Sequence, residues 1–311
     1  MDIIAGERDH EMLILDLIEH ETIWGGQRLS VDLSQKKKVG HLYSLITENE
    51  MASRIQNGVH EGRTFRDYFT SNKADLGMEE YNEFPFVVAL VEASENLSIQ
   101  VHPDDITAQN LENQRYGKNE SWYFLEAPTD GWIYNGCVLS DKFELRQRIG
   151  EMNLEGITDK LLINVGDYVY VEAGTLHAMS RGSLVYEIEE NCSLTYRFFD
   201  FNRTDAKGLS RELHIEKAFQ AVDVSKKSIP KRYNDIASIS ERRYSTQLLT
   251  NLTSYMNTGN KIACFTLIDG CFFLEGFEIK RGTSIIVLPG EHFLCDAKMA
   301  MIARPRHILY C

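Results

Sequence analysis

The chain is poor in positive charge: Lys and Arg number 33 against 46 Asp and Glu, a formal net charge of −13. Broad binding to a phosphate backbone needs clustered cations, and the acidic balance argues against it. A small phosphorylated molecule, held by two or three local cations, is not. No apolar run approaches the roughly 20 residues of a membrane-spanning helix. The opening Met1-Asp2-Ile3-Ile4-Ala5-Gly6-Glu7 lacks the basic-then-apolar order of a secretory leader. The six cysteines, at 137, 192, 264, 271, 295 and 311, are scattered without a Cys-x-x-Cys pair. That argues against thiolate-bound zinc and for reduced, mostly buried thiols in a cytoplasm. What the chain does have is length and apolar content. Its 311 residues, 43% of them hydrophobic, suffice for one large or two modest domains with packed cores.

The most informative stretch is Leu97-Ser98-Ile99-Gln100-Val101-His102-Pro103-Asp104-Asp105. It begins in strand-like alternation, with Leu97, Ile99 and Val101 on one side and Ser98, Gln100 and His102 on the other. Gln100 and His102 therefore share a face, two residues apart, where both can reach one ion. Pro103 cannot donate to a ladder and stops the strand, and Asp104 or Asp105 can cap a helix starting near Ile106.

Around it the pattern is mainly β. Residues 8–20 fit either a short helix or an extended arm. Gly25-Gly26 allows a tight turn, and Trp24 reads equally as a core plug. Val39 to Ile55 is strand-like and ends in Gln56-Asn57-Gly58, a hairpin signal. Thr64 starts a helix running to about Leu76. Phe84–Ala93 is a nearly continuous apolar run, as in a strand buried on both faces. Residues 139–161 have helical spacing, and so does 212–222. Ser225 to Arg232 is basic, contains a proline and reads as a linker. An internal echo pairs Gly166…Gly174 with Gly282…Gly290, each a Gly-x7-Gly bracket around an apolar strand. Short strands and regular turns, given twice, predict jelly-roll barrels. His177 comes after the first bracket. In the second copy the histidine, His292, falls one place off and turns to the opposite face. That copy is expected to lack a metal.

Gln100, His102, Glu120 and His177 stand on three strand-like segments. Imidazole, carboxylate and amide oxygen suit a divalent ion such as zinc, with room left for substrate. In isolation Glu120 also reads as a surface carboxylate and His177 as a turn residue.

The motifs Phe84-Pro85, Gln100-Val101-His102-Pro103-Asp104-Asp105, Gly117-Lys118-x-Glu120-x-Trp122-Tyr123, Gly174-Thr175-x-His177-Ala178 and Thr195-Tyr196-Arg197-x-x-Asp200 resemble the type I mannose-6-phosphate isomerases. Their order and spacing match as well, as does Ile23-Trp24-Gly25-Gly26. The resemblance runs from about residue 20 to 222 and more faintly onward. It implies a mainly β, cupin-type fold with few short helices, divided into a metal-binding domain (1–232) and a smaller C-terminal barrel (233–311). It further implies one zinc per chain on Gln100, His102, Glu120 and His177. Arg197 and Lys118 are implied as catalytic residues, with Trp24 and Arg203 beside a sugar phosphate. The expected reaction interconverts mannose 6-phosphate and fructose 6-phosphate through an enediol. In it Lys118 is expected to shuttle protons if burial lowers its pKa.

The chain departs from the family pattern in its sugar pocket. Ala89 stands where lysine is usual, His41-Leu42-Tyr43 where Glu-x-Trp is usual, and Glu48 where a histidine is usual. Glu189-Glu190-Asn191 replaces Gln-Gln-Asn. Losing a cation and gaining carboxylates both disfavour a phosphorylated ligand. The departures leave open a cupin that keeps its metal and binds a sugar or sugar phosphate without isomerising it. A metal-dependent oxygenase is a further reading, though such sites hold iron with more histidines.

Overall fold

The computed structural model describes residues 12–31, 33–35, 37–48, 50–150, 155–233 and 237–307. Its regular structure is chiefly antiparallel sheet with a few short helices. Two compact units divide the chain: residues 18–43 with 86–237, and residues 1–17 with 44–85 and 238–311. The sequence-based cut after residue 232 treats both parts as contiguous. The difference arises because Leu13–Ile14 adds to the strand Ser284–Val287 by β-pairing, which returns the start of the chain to the C-terminal sheet.

The larger unit holds a seven-stranded and a five-stranded sheet. The seven-stranded sheet runs in the order Lys231–Arg232, Asp167–Val171, Glu120–Glu126, Leu184–Glu190, Phe86–Glu92, Val39–Leu45 and Ile18–Gly26. The five-stranded sheet runs Tyr196–Phe199, Ile99–Val101, His177–Ala178, Trp132–Cys137 and Thr158–Leu162. Phe86–Glu92 is buried at every position, as the continuous apolar run predicts. The strand at 99 ends before Pro103, and the carboxylate of Asp104 accepts from the Thr107 amide (2.7 Å) to cap the helix Asp105–Glu112. Gly25 and Gly40 are needed for contact between neighbouring strands: a β-carbon on Gly25 would lie 2.5 Å from the Gly40 amide nitrogen.

In the smaller unit one six-stranded sheet carries two long strands, Tyr244–Met256 and His292–Pro305, paired along nearly their whole length. Its core is apolar and aromatic. Phe265, Phe272, Phe293 and Tyr255 pack together, and Phe265 is fully buried. The echoed glycines adopt one conformation in both units: φ is +85° at Gly166, +91° at Gly174, +88° at Gly282 and +86° at Gly290. Only glycine adopts such values freely, so the bracket is a backbone device that ends the strand the same way twice.

Asn57 lies in a chain reversal, as expected: residues 53–55 pair antiparallel with 62–65 on either side of it. Its side chain has a further role, and two other expectations change. Asn57 is buried, donating to the Met12 carbonyl (2.7 Å) and accepting from the Ile14 amide (2.9 Å), so its side chain anchors the N-terminal strand. The first helix covers only Phe65–Ser71, capped by Thr64 as expected and stopped at Asn72. The 139–161 segment forms a helix at Lys142–Gly150, a 3-10 turn at Glu155–Ile157 and then the strand Thr158–Leu162. Residues 151–154 lie outside the described chain. The segment at 8–20 is extended where described.

Candidate metal centre

Strand register builds this site from two facing rows. In the five-stranded sheet, Arg197 lies opposite Gln100, and Gln100 opposite His177. Directly paired residues of antiparallel strands project to the same face. In the seven-stranded sheet Glu189 pairs with Glu120, while Glu187 lies between Trp122 and Ala89. Main-chain bonds then join the motif loops. The Gly174 amide donates to the His102 carbonyl (2.9 Å), and the Lys118 amide donates to the Pro103 carbonyl (3.0 Å). A β-carbon on Gly117 would sit 2.2 Å from that Pro103 oxygen, so only glycine fits at the start of the Gly-Lys element.

The result is a cluster of His102, Glu120 and His177, each 2% exposed or less, with ligand atoms within 4.8 Å of one another. His102 Nε2 is 3.0 Å from one Glu120 oxygen and His177 Nε2 is 3.3 Å from the other. Each ring is oriented from behind. His102 Nδ1 donates to the Leu194 carbonyl (2.9 Å) and His177 Nδ1 to the Thr175 carbonyl (2.8 Å). With Nδ1 of each ring bonded to a carbonyl, Nε2 is the nitrogen that faces Glu120. Burial pushes the His102 pKa down to about 4. His102 Nε2 and Glu120 Oε1 are buried with no hydrogen-bond partner. Such groups are costly unless something satisfies them. A carboxylate flanked by two imidazole Nε2 atoms, all within 4.8 Å of one another, is a set of potential ligands converging on one point, which is what a cation requires. The Gln100 amide completes the group, with Nε2 3.4 Å from His177 Nε2 and Oε1 accepting from Ser98. A half-turn of that amide presents its oxygen instead.

Beyond this cluster the site is rich in charge. Lys118 is buried, 3.4 Å from Glu120 and ion-paired with Glu189. Burial would lower its pKa, but Glu189 and Glu120 hold it well above the usual lysine value. The expected lowering is thus reversed, because the Glu189 carboxylate sits against the ammonium. Glu187 shifts the other way. Burial, then the charges of Glu189 and Glu120, hold its carboxyl well above the usual range. It accepts from Trp122 Nε1 (2.8 Å) and lies 3.7 Å from His41 Nε2. His41 in turn stacks on Tyr43 (5.3 Å between centroids) and meets Trp24 edge-on (5.2 Å). Glu187 escapes the sequence reading, although its place two residues before Glu189 on a strand puts both on one face.

The other expected residues divide. Trp24 joins this outer layer through His41 rather than the histidine–glutamate cluster. Arg197 lies in the inner row beside Gln100, and its Nε is buried without a partner. Arg203 is engaged elsewhere. Its guanidinium bonds to the Asp200 carboxylate and to the Asn96 carbonyl, its Nε donates to the Asp200 carbonyl (3.1 Å), and Phe201 lies beneath it. Arg203 and Arg211 together hold Asp200, and against the cost of burial they keep its carboxyl below the usual range. Arg203 therefore braces the turn after the Tyr196–Phe199 strand. Of the six cysteines, five fall among the described residues and are free thiols.

Comparison with known proteins places the chain in a family. The model of the phosphomannose isomerase type I catalytic domain matches residues 13–122. The mannose-6-phosphate isomerase ManA of Bacillus subtilis is 32% identical over 226 residues, 72% of this chain and 71% of that protein. A mannose-6-phosphate isomerase of Streptococcus mutans is 31% identical over 219 residues, 70% of this chain and 69% of that protein. The crystal structure of the mannose 6-phosphate isomerase from Bacillus subtilis superposes with a TM-score of 0.83 at 25% identity, covering 94% of this chain and 99% of that one.

Proposed function

The chain belongs to the type I phosphomannose isomerase family, and from that premise we propose that it interconverts mannose 6-phosphate and fructose 6-phosphate at a single zinc ion held by Gln100, His102, Glu120 and His177. The observation that carries this reading is the pair of carbonyl-oriented histidines whose Nε2 atoms flank one buried carboxylate. The donor set fits a zinc ion: two imidazoles, one carboxylate and one amide within reach. When bound, zinc supplies Lewis-acid polarisation of the sugar's carbonyl and hydroxyl oxygens.

The chain's own residues do the rest. The reaction removes a proton from C2 of the aldose and returns one to C1, while a hydroxyl proton passes between O2 and O1. Negative charge develops on those oxygens in between. Lys118 remains charged because Glu189 pairs with it, so its contribution is a fixed positive charge beside the developing enediol rather than a labile proton. Arg197 keeps its charge and has an unsatisfied buried Nε–H, a donor available to a substrate oxygen. Glu187, fixed by the Trp122 indole N–H, lines the facing sheet beside Ala89. The three clustered residues are each 2% exposed or less, which keeps bulk water from their ligand atoms.

A coupled assay that detects fructose 6-phosphate, run on zinc-loaded protein with His177→Ala as the blank, tests the reading. Turnover absent from the blank supports it. One observation favours a second reading, in which the metal site binds a sugar phosphate without turning it over. Two additional carboxylates, Glu187 and Glu189, face the position where Ala89 replaces the family's usual lysine. Calorimetric binding of mannose 6-phosphate with no product formed would select that second reading.

A further inference from the structure

The smaller unit carries a pocket of about 300 Å³ whose lining includes Ser245, Asn260, Lys261, Arg304, Arg306 and His307. Its chemistry contrasts with the rest of an acidic chain: three permanent cations and a histidine, with no carboxylate in the wall. Strand alternation brings the arginines together. Pro305 is buried, which turns Arg304 and Arg306 to the other side, and Ser245 stands directly opposite Arg304 in the ladder.

Each cation is held in place without being neutralised completely. Arg304 donates to the neutral Tyr255 hydroxyl (2.8 Å), and Arg306 donates to the Glu241 main-chain carbonyl. Among the described residues neither arginine is ion-paired to a carboxylate. Lys261 alone has one, Glu80 at 2.6 Å, and its ammonium lies over the Tyr81 ring. The opposite wall is rigid. Buried Asn257 accepts from the Gly259 amide (3.1 Å) and donates to the carbonyls of Lys261 (2.8 Å) and Val287 (2.9 Å). Behind the loop, Gly77 passes so close that a β-carbon there would lie 2.0 Å from the Asn260 carbonyl. Two guanidiniums each tethered by a hydrogen bond of its own, Arg304 to Tyr255 and Arg306 to the Glu241 carbonyl, are pre-organised for a compact dianion, because the cost of ordering them falls on folding rather than on binding.

We propose that this pocket, separate from the histidine–glutamate cluster, is a binding site for a phosphate dianion or a small phosphate monoester. Its volume is at the lower end of small-molecule pockets, roughly 300–1,000 Å³, which suits one phosphate group with a short organic tail rather than a nucleoside polyphosphate. Bidentate guanidinium donation to phosphate oxygens supplies the affinity, and Ser245 and Asn260 offer further hydrogen bonds.

The test is an amide NMR titration of the full chain with inorganic phosphate and, separately, glycerol phosphate. Saturable shifts are expected at the amides of Gly259, Asn260 and Arg306. Tighter binding of the ester would assign the site to a metabolite, and equal binding to phosphate itself. Arg304→Gln with Arg306→Gln should weaken binding at least about tenfold, the value of one or two charge-assisted hydrogen bonds. Lys298→Gln, an exposed cation on the same long strand, should leave it unchanged. The single variant Arg306→Gln keeps the Arg304–Tyr255 contact, so a folding defect in the double variant would not remove the test. Shifts that persist in both arginine variants, an equal loss in Lys298→Gln, or no saturation by 20 times the Kd of about 1 mM expected for a weak site would overturn the proposal.

Discussion

The strands Asp167–Val171 and Ser284–Val287 are bracketed by glycines of the same left-handed conformation, yet the residues beyond the two brackets are opposite in kind. After Gly174 the chain reaches a histidine three residues on, fully buried and aimed at Glu120. After Gly290 it reaches one two residues on, and His292 is exposed at the start of a long strand. The interiors diverge accordingly. One unit fills the space between its sheets with His102, Lys118, Glu120, His177 and Glu187. The other packs Phe265, Phe272, Phe293 and Tyr255 around its sheet. Buried charge is costly, whereas aromatic packing stabilises without that cost. The glycine bracket thus specifies a backbone path only, and a one-residue offset decides which way the histidine after it faces.

The severest break of this contrast is His177→Ala. Removing one inward histidine should lower isomerase turnover by about 10³-fold, several kcal/mol of charge stabilisation, with parallel loss of bound metal measured by atomic absorption. Next is Phe265→Ala, which should cost about 3–5 kcal/mol of stability in urea unfolding by opening a cavity in the apolar barrel. Metal content per folded molecule should not change, and a loss of metal in that variant would show that the two interiors are not independent. A smaller effect is expected from Glu189→Gln, which removes a carboxylate from the sugar-phosphate side. The KM for mannose 6-phosphate should fall about fivefold, near 1 kcal/mol for one like charge at moderate distance. An increase would mean that the Lys118–Glu189 pair is needed to hold Lys118 in place.

The smallest effect is on pH dependence. Burial, with the charges near His20 and Lys118, pushes the His41 pKa down to about 3 from an ordinary 6.5. Between those values the unfolded chain binds a proton that the folded chain does not, so stability is complete above about pH 6.5 and declines as pH falls toward 3. In His41→Phe, which keeps the ring among Trp24 and Tyr43, urea midpoints measured from pH 7.5 to 5 should fall less steeply than in the parent chain.

Much of this is legible in the residues because it rests on local rules. Pro103 ends a strand, Asp104 caps a helix, the apolar run at 86–92 is a strand buried throughout, and the glycine echo is a repeated turn. Gln100, His102, Glu120 and His177 stand out by residue type and motif, and the register brings them together. The features that sequence reasoning misses depend on long-range pairing. Asn57 has a strong turn signal, but its amide meets the backbone of residues 12–14, more than 40 positions away. Arg203 stands where a basic residue is expected near a phosphate, yet Asp200 and Asn96 hold it. Burial alone would strip Lys118 of its charge, and only the cross-strand position of Glu189 reveals that it does not.

A single titration decides whether the metal cluster carries the isomerisation: metal-stripped chain is given increasing zinc, and bound metal and fructose 6-phosphate formation are measured on the same samples. Activity should rise in proportion to bound zinc and level off at about one equivalent per chain, the capacity of one closed donor set. Activity indifferent to zinc, or a full equivalent bound with no fructose 6-phosphate formed, would contradict that role.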